Sequence, residues 1–138
     1  MNKFLYHLSI FTLLLTAGFI CLIFYWLLYP YNPIEFKEIS LGKTEYKAGD
    51  NLDIYIDYCK YTNLPAETTV QYIDGIIFTQ PPFVSNTPKK CGKVVTADVV
   101  IPTALVPGDY NFRQTMTYQV NPIRQVSVVF ETPKFEIK

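Results

Sequence analysis

The chain has no net charge to spend on a polyanion. Twelve Lys and Arg are matched by twelve Asp and Glu at a sequence pI near 6.5. No overall field gathers a phosphate backbone, so composition gives no footing for nucleic-acid binding. Histidine is as scarce: the single one is His7, at the amino end. The rest of the chain therefore has no imidazole for a Ser-His or Cys-His pair, which removes the commonest hydrolase constellations. There is no glycine-rich phosphate loop and no CxxC pair. Carboxylates are available for a glycosidase-type pair, but they fall on strand faces that read as solvated, and no long insertion builds a pocket. Asp50, Asp53 and Asp57 lack the ligand spacing and glycine of a calcium loop, and a wet strand face accounts for them. The expectation is a protein that is not an enzyme and needs no cofactor or metal.

What the chain has in excess is apolar residues, 49% of 138, and they concentrate at one end. From Leu8 to Tyr29 there is no charge, only Ser9, Thr12, Thr16 and Gly18 interrupting. As a helix this run covers about 33 Å, against a hydrocarbon core of about 30 Å. Phe4 and Tyr6 stand at one end and Tyr25, Trp26, Tyr29 and Tyr31 at the other, the places where amphipathic rings settle at headgroup level. A cleaved signal peptide would have a shorter apolar region and a small-x-small site, whereas Tyr29-Pro30-Tyr31-Asn32-Pro33 is bulky throughout. The span is therefore read as a retained anchor over residues 8–29. Lys3, His7 and the amino terminus precede it, while Glu35, Lys37 and Glu38 nearly cancel after it. The positive-inside rule then places residues 1–7 in the cytoplasm and the rest outside.

Pro30 and Pro33 end the helix and make residues 30–33 a short stiff linker. Beyond it no segment holds a 3.6 period. Tyr110, Phe112, Met116, Tyr118 and Val120 alternate with polar neighbours, as do Leu52, Ile54 and Ile56, and Val126, Val128 and Phe130. The pattern predicts strands at Ile34 to Leu41, Asn51 to Cys59, Thr68 to Ile73, Ile76 to Thr79, Lys93 to Ile101, Asn111 to Val120 and Arg124 to Glu131. A last extended piece follows at Lys134 to Ile137. Asp74-Gly75 reads as a tight hairpin and Asn121-Pro122 as another turn. The fold class is thus all-β: a seven-stranded antiparallel domain over 34–138, carried on one amino-terminal transmembrane helix.

Leu105-Val106-Pro107-Gly108-Asp109-Tyr110 resembles the tyrosine corner before the sixth strand of the immunoglobulin-like β-sandwich superfamily. The resemblance spans Ile34 to Ile137 and implies a structural hydroxyl contact for Tyr110. It departs from the antibody type: Phe112 stands where the inter-sheet cysteine would, and the sole Trp is in the span. More loosely, several features together are similar to small single-span envelope proteins of tailed phages of marine bacteria. They are the single span, Tyr29-Pro30-Tyr31, Tyr58-Cys59-Lys60-Tyr61, the later Cys-Gly pair and Val120-Asn121-Pro122-Ile123-Arg124. That likeness implies an envelope setting and no activity.

Of three cysteines, Cys21 is in the span. In the seven-strand order, Cys59 closes the second strand and Cys91 precedes the fifth at the same, membrane-facing end, and those strands are sheet neighbours. Outside the membrane the compartment is oxidising, so a Cys59–Cys91 disulfide is expected, whereas two cysteines without a histidine fall short of a metal site. By alternation Cys59 shares the outward face with Asp57, so the bridge should clip sheet ends instead of crossing a core.

The longest stretch without a strand pattern is Gln80 to Lys90. As a plain connector it needs no function. As a contact loop it would present Phe83, held by Pro81 and Pro82, beside Lys89 and Lys90, toward an anionic surface. The function expected is a membrane-anchored binding or structural module on the outer face of a bacterial or viral membrane. Its partners would be the lipid bilayer and another envelope or virion protein. The alternative is a phage lysis or envelope-disruption effector.

Overall fold

A computed structural model describes residues 3–96 and 99–138. The readings that touch residues 1–2 and 97–98, the extreme amino end and the middle of the 93–101 strand, lie outside the described residues.

Helix α1 runs Lys3–Leu28, beginning earlier than the charge-free run and ending one residue before it does. Thr12 and Thr16 return their hydroxyls to the carbonyls of Leu8 and Thr12, at 2.9 and 2.8 Å, so neither leaves a bare polar group on an apolar surface. None of the helix is buried against protein, and its surface is apolar on every side. It is long and apolar enough to cross a membrane. Pro30 stops it, after a last-turn bond from the Tyr29 amide to the Tyr25 carbonyl.

The rest is strands: β1 Ile34–Leu41, β2 Glu45–Tyr46, β3 Ile54–Lys60, β4 Ala66–Asp74, β5 Ile76–Thr79, β6 Phe83–Ser85, β7 Cys91–Thr96, β8 Gly108–Asn121, β9 Arg124–Glu131 and β10 Phe135–Ile137. Among the described residues ten strands stand where seven and a last extended piece were expected, the two additional ones being β2 and β6. The breaks fall at prolines: Pro133 separates β9 from β10, as expected, and Pro81-Pro82 separates β5 from β6, a strand that the stretch from Gln80 to Lys90 did not suggest. One sheet has the order β1–β3–β7. The other has the order β2–β10–β8–β4–β5, with β9 also on β8 and β6 also on β4. Strand β2, too short to show a period, pairs with β10 in parallel, so the antiparallel expectation fails there.

The Asp74-Gly75 hairpin forms as expected, with Gly75 at φ +63°, where a side chain would be strained. The expected strands from Asn51 and to Ile101 shorten to β3 and β7, beyond which an Asn51–Val100 bridge continues the pairing.

Inward residues of both sheets form one apolar cluster. Tyr72 and Phe112 are fully buried and meet edge to face at 5.5 Å, and Phe130 bridges the sheets through Phe36 at 4.8 Å. Tyr110 donates its hydroxyl to the Val106 carbonyl at 2.9 Å, the contact the corner motif implies.

Cys59 and Cys91 are directly opposed across β3 and β7 and form a disulfide, their Cα atoms 4.0 Å apart. It lies within one sheet, at its end, as the alternation required. Cys59 is nonetheless buried, where the outward face would leave it wet. The bridge closes a sequence separation of 32, which stabilises by about 3 to 4 kcal/mol in the chain-entropy model. The Cys59→Ser/Cys91→Ser variant of the full chain in detergent micelles should melt roughly 15 °C below the wild type. A melting point within about 3 °C of wild type would show that the sheet end holds without the bridge.

Candidate functional site

Two features stand out at the helix-facing end of the β domain: a cap on the helix and a buried lysine. Alongside them a cleft opens between the sheets.

Helix α1 has no basic residue in its last turn. The missing donors arrive from the turn between β8 and β9, more than ninety residues later. Asn121 Nδ2 donates to the Trp26 carbonyl at 3.0 Å, and Arg124 Nη1 donates to the carbonyls of Leu27, at 3.2 Å, and Tyr29. Orphan carbonyls and the negative end of the helix dipole are thereby answered by an amide and a guanidinium. The turn is braced for this, since Asn121 Oδ1 accepts the Ile123 amide at 3.1 Å. Sequence reasoning found the turn but not its office. The one local signal is an arginine two residues after Asn-Pro, facing a helix end without a cation of its own.

Lys60 is the last residue of β3 and, following Ile54, Ile56 and Tyr58, it points inward. It is only 2% exposed. Its ammonium donates to the carbonyls of Leu64, at 3.1 Å, and Thr87, and lies 5.6 Å from the centre of the Tyr118 ring. No carboxylate pairs with it among the described residues, and burial lowers its pKa. Lysine marks a strand end in sequence, so its inward course was not foreseen.

A cavity of about 510 Å³ opens between the sheets on the side where β6 and β7 form their edges. Its walls are mainly apolar: Phe36, Ile56, Val94, Met116, Phe130 and, at the rim, Phe83, which is 49% exposed. Thr68 stands behind this wall, opposite both Phe83 and Met116, and its buried hydroxyl has no hydrogen-bond partner among the described residues.

The contact loop is thus only partly a loop. Phe83 belongs to β6, paired with Thr68 of β4, because Pro81 and Pro82 interrupt a strand instead of ending one. It lines the cleft, two residues along β4 from Ala66 at the helix-facing end. Lys89 and Lys90 are exposed and do lie at that end: the Lys90 carbonyl accepts the Lys60 amide, and the Pro33 carbonyl accepts the neighbouring Tyr61 amide. Of the three aspartates weighed for calcium, Asp50 accepts the Lys47 amide at 2.9 Å in the turn after β2. No group of three potential metal ligands occurs among the described residues.

No protein-family model matches the chain, and no curated protein matches it.

Two predictions follow from this geometry. Removing the cap, in Asn121→Ala/Arg124→Ala, should leave melting nearly unchanged but free the domain to swing on its linker. Spin labels at Cys21 and at a cysteine replacing Lys138 should then give a broadened distance distribution, and an unchanged one would show that the linker alone sets the angle. The second concerns alkali. Burial raises the phenols of Tyr72 and Tyr118, the latter to about 12. The unfolded chain ionises near pH 10 while the folded chain keeps its protons, so stability present below pH 10 is lost as pH rises toward 12. Lys60 acts with the opposite sign, its lowered pKa adding stability as pH climbs toward 10.5. The melting temperature should fall from pH 10 upward, and fall less in Tyr118→Phe. Superimposable profiles would remove Tyr118 as a cause.

Proposed function

We propose that the chain is a single-span membrane protein, amino end in the cytoplasm, whose outer domain is an immunoglobulin-like sandwich. It serves as a binding or structural module at the outer face of a bacterial or viral membrane. The observation that carries the reading is the cap on α1. A helix with no protein-buried face ends in bonds to Asn121 and Arg124, so the β domain sits against the end of a segment fit for a bilayer. The neighbouring strands β3 and β7 and the Tyr110 contact to Val106 support the sandwich assignment. A disulfide fits an oxidising compartment, and Lys3 fits the inner side.

In this arrangement Lys89, Lys90 and Arg124 stand close to headgroups, where each lysine adds about 1 kcal/mol on an anionic membrane. The domain has little reach of its own, since residues 30–33 are its whole tether. Its ligands are therefore found within a domain's length of the membrane, at high effective concentration.

The test is topological. In cells expressing the full chain, an impermeant maleimide should label a cysteine replacing Lys138 without permeabilisation, and should miss one replacing Lys3. The reverse pattern overturns the orientation. A shortened, soluble product cut near Tyr31 overturns the anchor. Loss of membrane integrity on expression alone would replace the binding reading with an envelope-disrupting one.

A further inference from the structure

The two long sides of the domain are not alike. On one side Phe36 of β1 packs on Phe130 of β9 at 4.8 Å and closes the gap between the sheets. On the other, among the described residues, β7 pairs with β3 alone and the three-residue β6 with β4 alone, so two strand edges face each other across the cleft. An uncovered edge presents backbone donors and acceptors that a second chain can use. An acyl chain would fill the cleft and leave those groups unpaired. An extended polypeptide does both tasks at once, pairing with the edge and sending alternate side chains between the sheets.

The charge on the edge selects among polypeptides. Glu38, Asp57 and Lys93 form a row across β1, β3 and β7, and Lys93 ends it, with its side chain 76% exposed and 3.7 Å from Glu38. The next place in the row lies beyond the edge, directly opposite Lys93, where an acidic residue pairs and a basic one repels. Lys89 and Lys90, exposed just ahead of β7, bias the same edge. A second copy fits poorly. Antiparallel pairing of β7 with a twofold mate, centred on Cys91 or Lys93, sets lysines of one edge against those of the other. It also sends the two α1 helices off in opposite directions, out of any shared membrane.

We propose that the β7 edge and the adjoining cleft receive an extended segment of another protein, about the six residues of β7 in length. Apolar side chains at alternate positions enter beside Val94, Met116 and Phe83, and an acidic residue on the opposite face meets Lys93. The inference rests on the binding-module reading above and names the chemistry of its partner.

The test uses the full chain in phosphatidylcholine nanodiscs and an end-blocked octapeptide alternating Val with Glu. Amide exchange across residues 93–96 should slow on addition of this peptide. It should slow less with an alternating Val-Lys peptide, and not at all with a peptide of the same Val and Glu arranged in two blocks. Lys93→Glu, which sets a third carboxylate beside Asp57 and Glu38, should lower the melting temperature by a few degrees while the domain stays folded, weaken the Val-Glu peptide about tenfold and reverse the preference toward Val-Lys. Phe83→Ala should weaken both peptides.

Several results would overturn the proposal: no slowing with any peptide, equal slowing with the block peptide, or indifference to Lys93→Glu. Oleate that protects β7 unaided would assign the cleft to lipid. A dimeric protein with β7 protected before any addition would assign the edge to a second copy. None of these outcomes depends on which side of a membrane the domain faces, so failure here and failure of the topological reading are told apart.

Discussion

Pairing along β8 holds both ends of the domain in place. Its fourteen residues bond to β4 on one side and to β9 and β10 in succession on the other. Its inward row supplies Tyr110, Phe112, Met116 and Tyr118 to the core. At its start Tyr110 fastens the preceding loop through the Val106 carbonyl, and at its finish Asn121 reaches the helix. A register slip of one residue would turn the aromatic row to solvent and carry the helix cap away with it. The cap, the core and the loop are therefore set by one alternation.

That alternation is also why much of the fold was legible. Period 2 over Tyr110 to Val120 is long enough to be unambiguous, and Asp74-Gly75 and Asn121-Pro122 punctuate it with turn chemistry. The charge-free run declared the helix, and the topology brought Cys59 and Cys91 to one sheet end. Illegible were features that depend on distant partners or on too few residues. Two residues of β2 show no period, and their parallel partner lies at the other end of the chain. Pro81-Pro82 reads as a loop when the strand edge that tolerates it cannot be seen. Arg124 reads as a surface cation until the carbonyls of Leu27 and Tyr29 are placed beside it. The cleft follows from which strands lack a neighbour, and that is a property of the assembled sheets.

Lys60 shows how a polar group is kept inside at tolerable cost. Without a carboxylate, its ammonium is answered by two backbone carbonyls and an aromatic face. The carbonyls belong to Leu64 and Thr87, so one side chain gathers the segment leading into β4 and the one leading toward β7. Beside it the disulfide does the same covalently, so the helix-facing end is held by both a buried ammonium and a bridge.

The disulfide also has a mechanical meaning for a domain joined to a long apolar helix. Load applied at β7 reaches β3 directly through the Cys91–Cys59 bond, bypassing the hydrogen-bonded ladder between those strands. Under tension between the helix and the carboxyl end, the segment between the two cysteines, spanning a separation of 32, cannot pay out. At about 3.4 Å per extended residue the unravelled domain is shorter by roughly 110 Å than an unbridged chain would be. The bridge thus sets a limit on how far the carboxyl end can be drawn from the end of α1.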